Sequence, residues 1–432
     1  MPLPHPGANI TVASGVLLRS AAAFAFTKAC ATLLGPAEFG RYGHYLMLAQ
    51  YLLTISSSGM SNALTVYLGR RLRDGAVSSE DIRRDTSSAV LAGGVMGGLA
   101  GVILAAVVAL GAAGALLPPI PLDRMPWWLL FCVGSGMSGG FLASLLAAER
   151  HRAYQVLSVS MPTTSVAVLA AMAWVEKLNP ERAIYSYMVG FLVPGLVYAW
   201  RGSSVRLVTR RSLVSVARFS LIYLLPSLLI PTIGSLTTLA VRQNVAENTS
   251  PVELGQWQGL WRLAESYMGV LAGVVSALFI PRFAKSANRH ELSKHLRQAC
   301  LTAYGLYLPV ALMLLVLPQQ ALSLLLARSF TDIARMLPLQ VVGDLLKIAV
   351  VIVTLSFTAL MRPGLTLFAE LGFCAGFFGI ARLLTPDHGA AGAVGAYAAA
   401  YVCLVPVLIP FIRGLIRNLP DRRQAPGDLS AS

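Results

Sequence analysis

Charge is what this chain has least of. Asp, Glu, Lys and Arg make up 12% of its 432 residues, about half the roughly 25% of an average soluble domain. A sequence so poor in charge cannot clothe a globular surface, which excludes a soluble enzyme or binding module. Cysteine is scarce too. Cys30, Cys132, Cys300, Cys374 and Cys403 are the five, all inside apolar runs, with no C-x-x-C and no neighbouring His spacing. A disulfide framework and a zinc site are therefore excluded in favour of buried thiols. Acidic residues number 19 against 34 Lys and Arg, and no run interleaves aromatic with basic residues, so the net charge of +15 does not point to nucleic acid. Met1 to Ala8 has no basic stretch and the first apolar run is too long for a signal peptide, so no cleaved leader is expected. Nothing in the sequence calls for a cofactor or a metal.

Apolar residues fill the space that charge leaves. They are 56% of the chain, and the mean hydropathy is +0.67. About twelve spans of roughly 20 residues, the length that crosses ~30 Å of hydrocarbon, can be drawn. They cover about 10–34, 42–68, 86–115, 126–148, 155–175 and 183–200, then about 219–240, 254–281, 298–317, 338–360, 365–384 and 392–412. Connections are short, so no soluble domain fits between spans. The predicted fold is an all-α polytopic membrane protein.

One stretch occurs twice. Pro36-Ala37-Glu38-Phe39-Gly40-Arg41-Tyr42 and Pro251-Val252-Glu253-Leu254-Gly255-Gln256-Trp257 both read P-x-E-[F/L]-G-x-[Y/W], 215 positions apart. The same offset sets Gln50 on Glu265 and Arg70 on Lys285. Proline ends one apolar run and glycine permits a reversal, so each copy reads as a helical hairpin tip. The expected organisation is two six-helix halves, 1–200 and 219–412, joined by a basic linker, 201–218, and followed by a tail, 413–432. An even number of spans per half makes the repeats parallel, and parallel repeats place a central substrate cavity between them. Gln50 and Glu265 are then expected to face each other across it.

Lys and Arg set the orientation. With a cytoplasmic N-terminus, 22 of the 34 fall on the inside against 7 outside. That threefold bias places both termini in the cytoplasm. Gly93, Gly97 and Gly101 in the third span, and Gly134, Gly136, Gly139 and Gly140 in the fourth, form small-residue faces that predict close helix packing. Pro226 and Pro231 fall in the seventh span and predict a bent helix, a candidate hinge.

Ionisable residues at membrane depth are costly and face a polar cavity or a partner. Arg19 lies roughly 13 Å from the inner end of its span, and Arg262 and Glu265 roughly 12 and 16 Å from the outer end of theirs, at 1.5 Å per residue. Lys28, nine residues on, is half a turn out of phase with Arg19 and close enough to the tip to reach water. Asp344 and Lys347, like Arg262 and Glu265, are spaced i, i+3, which equally predicts an ion pair within one helix. Glu370 sits near a span end. Trp257, at the start of the eighth span, reads as part of an interfacial belt, whereas Trp261 and Tyr267 are deep enough to stack on sugar or lipid. Substrate-binding candidates are thus Arg19, Lys28, Gln50, Trp261, Arg262 and Lys347; ion-coupling candidates are Glu265, Asp344 and Glu370.

Three runs carry a resemblance. They are Gly255-Gln256-Trp257-Gln258-Gly259 with Glu265 and Tyr267; Phe330-Thr331 followed by Gln340-Val341-Val342-Gly343-Asp344-Leu345-Leu346-Lys347; and Pro386-Asp387-His388-Gly389-Ala390 followed by Ala396, Tyr397 and Tyr401. With Arg19, Lys28 and the Gly35-Pro36 tip, the chain resembles the O-antigen and enterobacterial-common-antigen (lipid III) flippases of the multidrug/oligosaccharidyl-lipid/polysaccharide exporter superfamily. Arg262 departs from that pattern. The resemblance implies a flippase of the bacterial inner membrane that moves an undecaprenyl-pyrophosphate-linked oligosaccharide from the cytoplasmic to the periplasmic leaflet by alternating access. It implies as partners the lipid-linked oligosaccharide, membrane lipids and polysaccharide polymerase machinery. Arginine in the cavity suits a diphosphate. A multidrug exporter of the same superfamily is the alternative, with an acidic cavity expected; a polysaccharide polymerase or ligase would need a larger outside loop.

Overall fold

The computed structural model describes residues 6–58, 79–111, 117–148, 150–202, 208–286, 288–360 and 362–419, and every regular element among them is helical. The helices are α1 (Pro6–Leu53), α2 (Ser79–Ala109), α3 (Met125–Ala147), α4 (His151–Val175), α5 (Pro180–Gly202), α6 (Arg210–Asn248), α7 (Pro251–Lys285), α8 (Arg289–Val316), the short α9 (Pro318–Leu325), α10 (Leu337–Ala359) and α11 (Pro363–Arg417). A π-helical turn, Thr54–Ser58, continues α1, and a 3-10 stretch, Arg328–Arg335, leads into α10. Nine helices among the described residues are long and apolar enough to cross a membrane. The chain is a multi-pass membrane protein, as its composition predicts.

Two of those nine helices each cover two of the expected spans. α1 breaks at Gly35 (φ 70°, ψ 172°) and α11 at Gly389 (φ 55°, ψ −138°). Both angles lie in the left-handed range where a side chain is strained, and at the first break Pro36 also withholds an amide donor. The tip expected at Gly35-Pro36 is in place. Its second copy is built differently. α6 ends at Asn248 and α7 starts at Pro251, with the Ser250 Oγ accepting a 3.2 Å bond from the Glu253 amide. Serine at the cap, proline in the first turn and glutamate three residues on make a strong helix start.

Several expectations fall on residues outside those described: the end of the second span, 59–68; Arg70, Arg71 and Arg73; linker residues 203–207; and the tail from 420 onward. Pro226 and Pro231 both stand inside the single helix α6.

The chain divides into two compact units, Met1–Gln243 and Asn244–Ser432. In the first, α2 and α3 pack along the glycine faces read from the sequence. A Cβ added to Gly97 would lie 1.9 Å from the Cys132 carbonyl oxygen, and one on Gly93 would lie 2.1 Å from that of Gly136. Backbone touches backbone here, which is how small residues substitute for a hydrophobic drive between helices in lipid. α1 lies against α4 and α5, and Phe26, Phe131 and Phe191 gather around the Tyr187 ring.

The second unit is built around α7, α8 and α10. Met268, Leu271, Val275 and Phe279 of α7 pack with Ala303, Tyr307 and Ala311 of α8 and with Ile348 and Ile352 of α10. α8 turns Ala299, Ala303, Tyr307 and Ala311 inward at four-residue spacing, while Leu301, Leu308, Leu312 and Val316 are exposed. Large apolar side chains outside and three alanines on the inner face suit a helix solvated by lipid.

Candidate functional site

The second unit gathers three tyrosine hydroxyls and one amide around one of the membrane-deep carboxylates, Asp344. Gln340, Asp344 and Lys347 lie on one face of α10 because they are spaced four and three apart. Asp344 is completely buried. Its Oδ1 accepts from the Tyr397 hydroxyl at 2.8 Å and from Gln340 Nε2 at 3.0 Å. Its Oδ2 accepts from the Tyr307 hydroxyl at 3.3 Å and, closer still, from the Tyr267 hydroxyl. Those donors come from α11, α10, α8 and α7. A carboxylate taken out of water needs such bonds, and here each oxygen has two.

The ion pair that the i, i+3 spacing allows for Asp344 and Lys347 does not form. Both carboxylate oxygens are taken by the four donors, and the Lys347 ammonium sits over the Tyr397 ring instead, 5.7 Å from its centroid. Arg262 and Glu265, with the same spacing, do pair. Arg262 Nη1 reaches Glu265 Oε2 at 2.9 Å, and Trp261 Nε1 donates to Glu265 Oε1 at 2.9 Å. Glu265 is thus held by its own helix from two sides.

An aromatic wall stands beside this network. Trp261 stacks on Phe377 (5.7 Å, 1°) and on Trp257 (5.6 Å, 27°) and meets Tyr397 edge-on (5.6 Å, 78°). Phe373 stacks on Tyr401 at 4.3 Å, and Tyr401 meets Tyr397 edge-on at 5.1 Å. The belt position read for Trp257 is corrected, since its side chain is buried and stacked rather than set at an interface. Glu370 is half-buried one turn before Cys374, with its Oε1 3.9 Å from the thiol sulfur.

Hairpin tips frame the site. Glu253 Oε1 accepts from the Ala390 amide at 2.8 Å, just past the break at Gly389. Gln256 Nε2 donates to Asp332 Oδ2 at 2.8 Å, and a Cβ on Gly259 would press to 2.9 Å on the buried Phe330 ring. The three separated runs that carry the family resemblance are therefore in contact at one end of this unit.

In the first unit the candidates are more dispersed. Arg19 is exposed on α1, Lys28 is half-buried nine residues on, and Gln50 is half-buried just before the π-helical turn. Gln50 and Glu265, expected to face each other, belong to different units. The sequence passed over two residues. Tyr307 gave no pattern beyond an aromatic in an apolar run. Arg242, one of the seven Lys and Arg counted outside, is 4% exposed inside α6, where its Nη2 donates to the Gly40 carbonyl at 2.8 Å.

Comparison with known proteins bears out the resemblance. The chain is 22% identical over 416 residues to proteins named lipid III flippase from Escherichia coli (strain K12) and from Shigella flexneri, covering 91% of this chain and 95% of each relative. No family model matches. Among solved structures, a multidrug resistance MATE family transporter of the MOP superfamily in an inward-facing conformation is similar with a TM-score of 0.73 at 14% identity, covering 95% of this chain and 98% of that one. The lipid II flippase MurJ in an inward closed conformation is similar with a TM-score of 0.67 at 13% identity over 94% and 87%. A MOP superfamily transporter from Pyrococcus furiosus gives 0.66 at 14% over 95% and 96%. These structural likenesses establish the all-α fold that the chain shares with those transporters.

Proposed function

We propose, from the premise that this chain has the exporter fold and is similar along nearly its whole length to lipid III flippases, that it is a flippase for a lipid-linked oligosaccharide. Its substrate is an undecaprenyl-diphosphate-linked repeat unit, carried from the cytoplasmic to the periplasmic leaflet of a bacterial inner membrane by alternating access of two halves. Both termini lie in the cytoplasm in this reading, and polysaccharide polymerase machinery takes up the product. The observation that carries the proposal is the match over 416 residues to proteins of that name.

The chain's own chemistry agrees with it. A diphosphate drawn into a low-dielectric path needs a fixed cation, or its desolvation forbids passage. Arg19 is the first contact in this reading, because it is exposed on α1 and its guanidinium holds two phosphate oxygens where lysine offers a point charge. Lys28, Gln50, Trp261, Arg262 and Lys347 line the rest of the path. Arg262 is restrained by Glu265 until that pair opens. Asp344, Glu265 and Glu370 are the groups available to couple transport to an ion, and Pro226 and Pro231 give α6 its hinge.

Flipping of a lipid-diphosphate oligosaccharide in proteoliposomes tests this. Arg19→Ala is expected to lose at least tenfold in rate, with partial recovery in Arg19→Lys. Near-normal flipping by well-folded Arg19→Ala would remove Arg19 from the site. The similarity to a multidrug transporter structure gives the alternative its weight. Uptake of hydrophobic cations without any flipping would replace the flippase reading by that of a drug exporter.

A further inference from the structure

Arg242 is the least compensated charge in the described structure. It is 4% exposed, and no carboxylate among the described residues lies within ion-pair distance. Its Nη2 has one neutral acceptor, the Gly40 carbonyl at 2.8 Å, while its Nε is buried without any acceptor. Around it on α6 stand Leu239 and Val241, both buried and apolar. A buried guanidinium needs several acceptors or an anion to offset the loss of water. This one has a single peptide oxygen, contributed by the repeated tip motif of α1 some two hundred residues away in sequence.

We infer that Arg242 acts as a loaded spring at the outer end of the path, a positioning residue that favours opening. While α6 and the α1 tip are held together, the guanidinium is paired only with Gly40. When they part, it gains water on all its N–H groups. Its desolvation is therefore a penalty carried by the closed arrangement alone, and removing the charge should make opening rarer rather than easier. A residue that merely held the two elements together would act in the opposite sense. The inference rests on the alternating-access reading, but its test reads conformation, not transport, so its failure leaves the flippase assignment standing.

The probe is a cysteine at Leu239, buried one turn along α6 from Arg242. In a background freed of the five native cysteines, its reaction with a membrane-impermeant maleimide added from outside is followed in reconstituted full-length protein. Combining Leu239→Cys with Arg242→Met is expected to slow labelling about tenfold, with a thermal midpoint equal to or above that of the parent. Arg242→Lys, which keeps the charge, is expected to label within threefold of the parent. Unchanged or faster labelling in Arg242→Met, or labelling of Arg242→Lys as slow as that of Arg242→Met, would overturn the inference. Should Arg242→Met not fold, Arg242→Gln gives the same reading, because its amide can keep the Gly40 bond without the charge.

Discussion

Replacing Tyr397 and Tyr307 by Phe, one at a time, separates the hydroxyls around Asp344 from the rings that carry them. Tyr397→Phe keeps the edge contacts with Trp261 and Tyr401 but removes the 2.8 Å bond to Oδ1, which is left with Gln340 at 3.0 Å. Removing one partner from a buried carboxyl oxygen costs about 1–3 kcal/mol, and the loss falls at the upper end at a site closed to solvent. Tyr307→Phe removes a bond of 3.3 Å from an oxygen that keeps the Tyr267 hydroxyl, so its cost should be nearer 0.5–1 kcal/mol. Both side chains are almost wholly buried, so solvent screening does not blur the comparison. Chemical denaturation of the detergent-solubilised protein, read from the two variants and their combination, gives the order. The rationale fails if Tyr307→Phe costs as much as Tyr397→Phe, or if neither changes stability.

Two further outcomes follow from the helix contacts. Gly97→Ala must push its Cβ against the Cys132 carbonyl, a clash with backbone that no side-chain rotation relieves, and should cost about 1–3 kcal/mol. Its neighbour is the control. A Cβ on Gly98 would lie 3.7 Å from Val133, so Gly98→Ala should be neutral or stabilising by up to ~1 kcal/mol, and equal effects at the two positions would refute the packing argument. Glu253→Ala leaves the buried Ala390 amide without its acceptor and should cost about 1–3 kcal/mol. Glu253→Gln, which can still accept, should cost less, and faster amide exchange at Ala390 in the alanine variant is the direct measurement.

Helix positions were legible because membrane spans are written in composition, and the two tips were legible because proline and glycine punctuate them. The glycine faces of α2 and α3 were also plain, since small residues every four positions have one common use in lipid. Side-chain partners were harder to see. Spacing alone allowed Asp344 an ion pair with Lys347, yet three of its four partners come from α7, α8 and α11, and no local pattern reports which distant hydroxyls converge. Tyr307 was invisible for that reason. The burial of Arg242 was hidden because charge counting treats an arginine near a span end as a loop residue, whereas α6 continues past it to Asn248. Trp257 was read as a belt residue from its position, but its stacking on Trp261 depends on the α11 wall that shapes the neighbourhood.

The Asp344 cluster has a mechanical consequence. Its four donors stand on four helices, so the carboxylate is a common joint where α7, α8, α10 and α11 meet. Helices riveted at one buried point cannot slide singly without breaking a bond that no water is at hand to replace. Rotation about the joint remains cheap, because phenol hydroxyls can swing and stay bonded while their helices tilt. The second unit should therefore move by pivoting as a body with its fulcrum at depth. A small tilt at Asp344 then becomes a larger sweep at the hairpin tips, where the Glu253 to Ala390 bond ties the start of α7 to the break in α11 and makes them travel together.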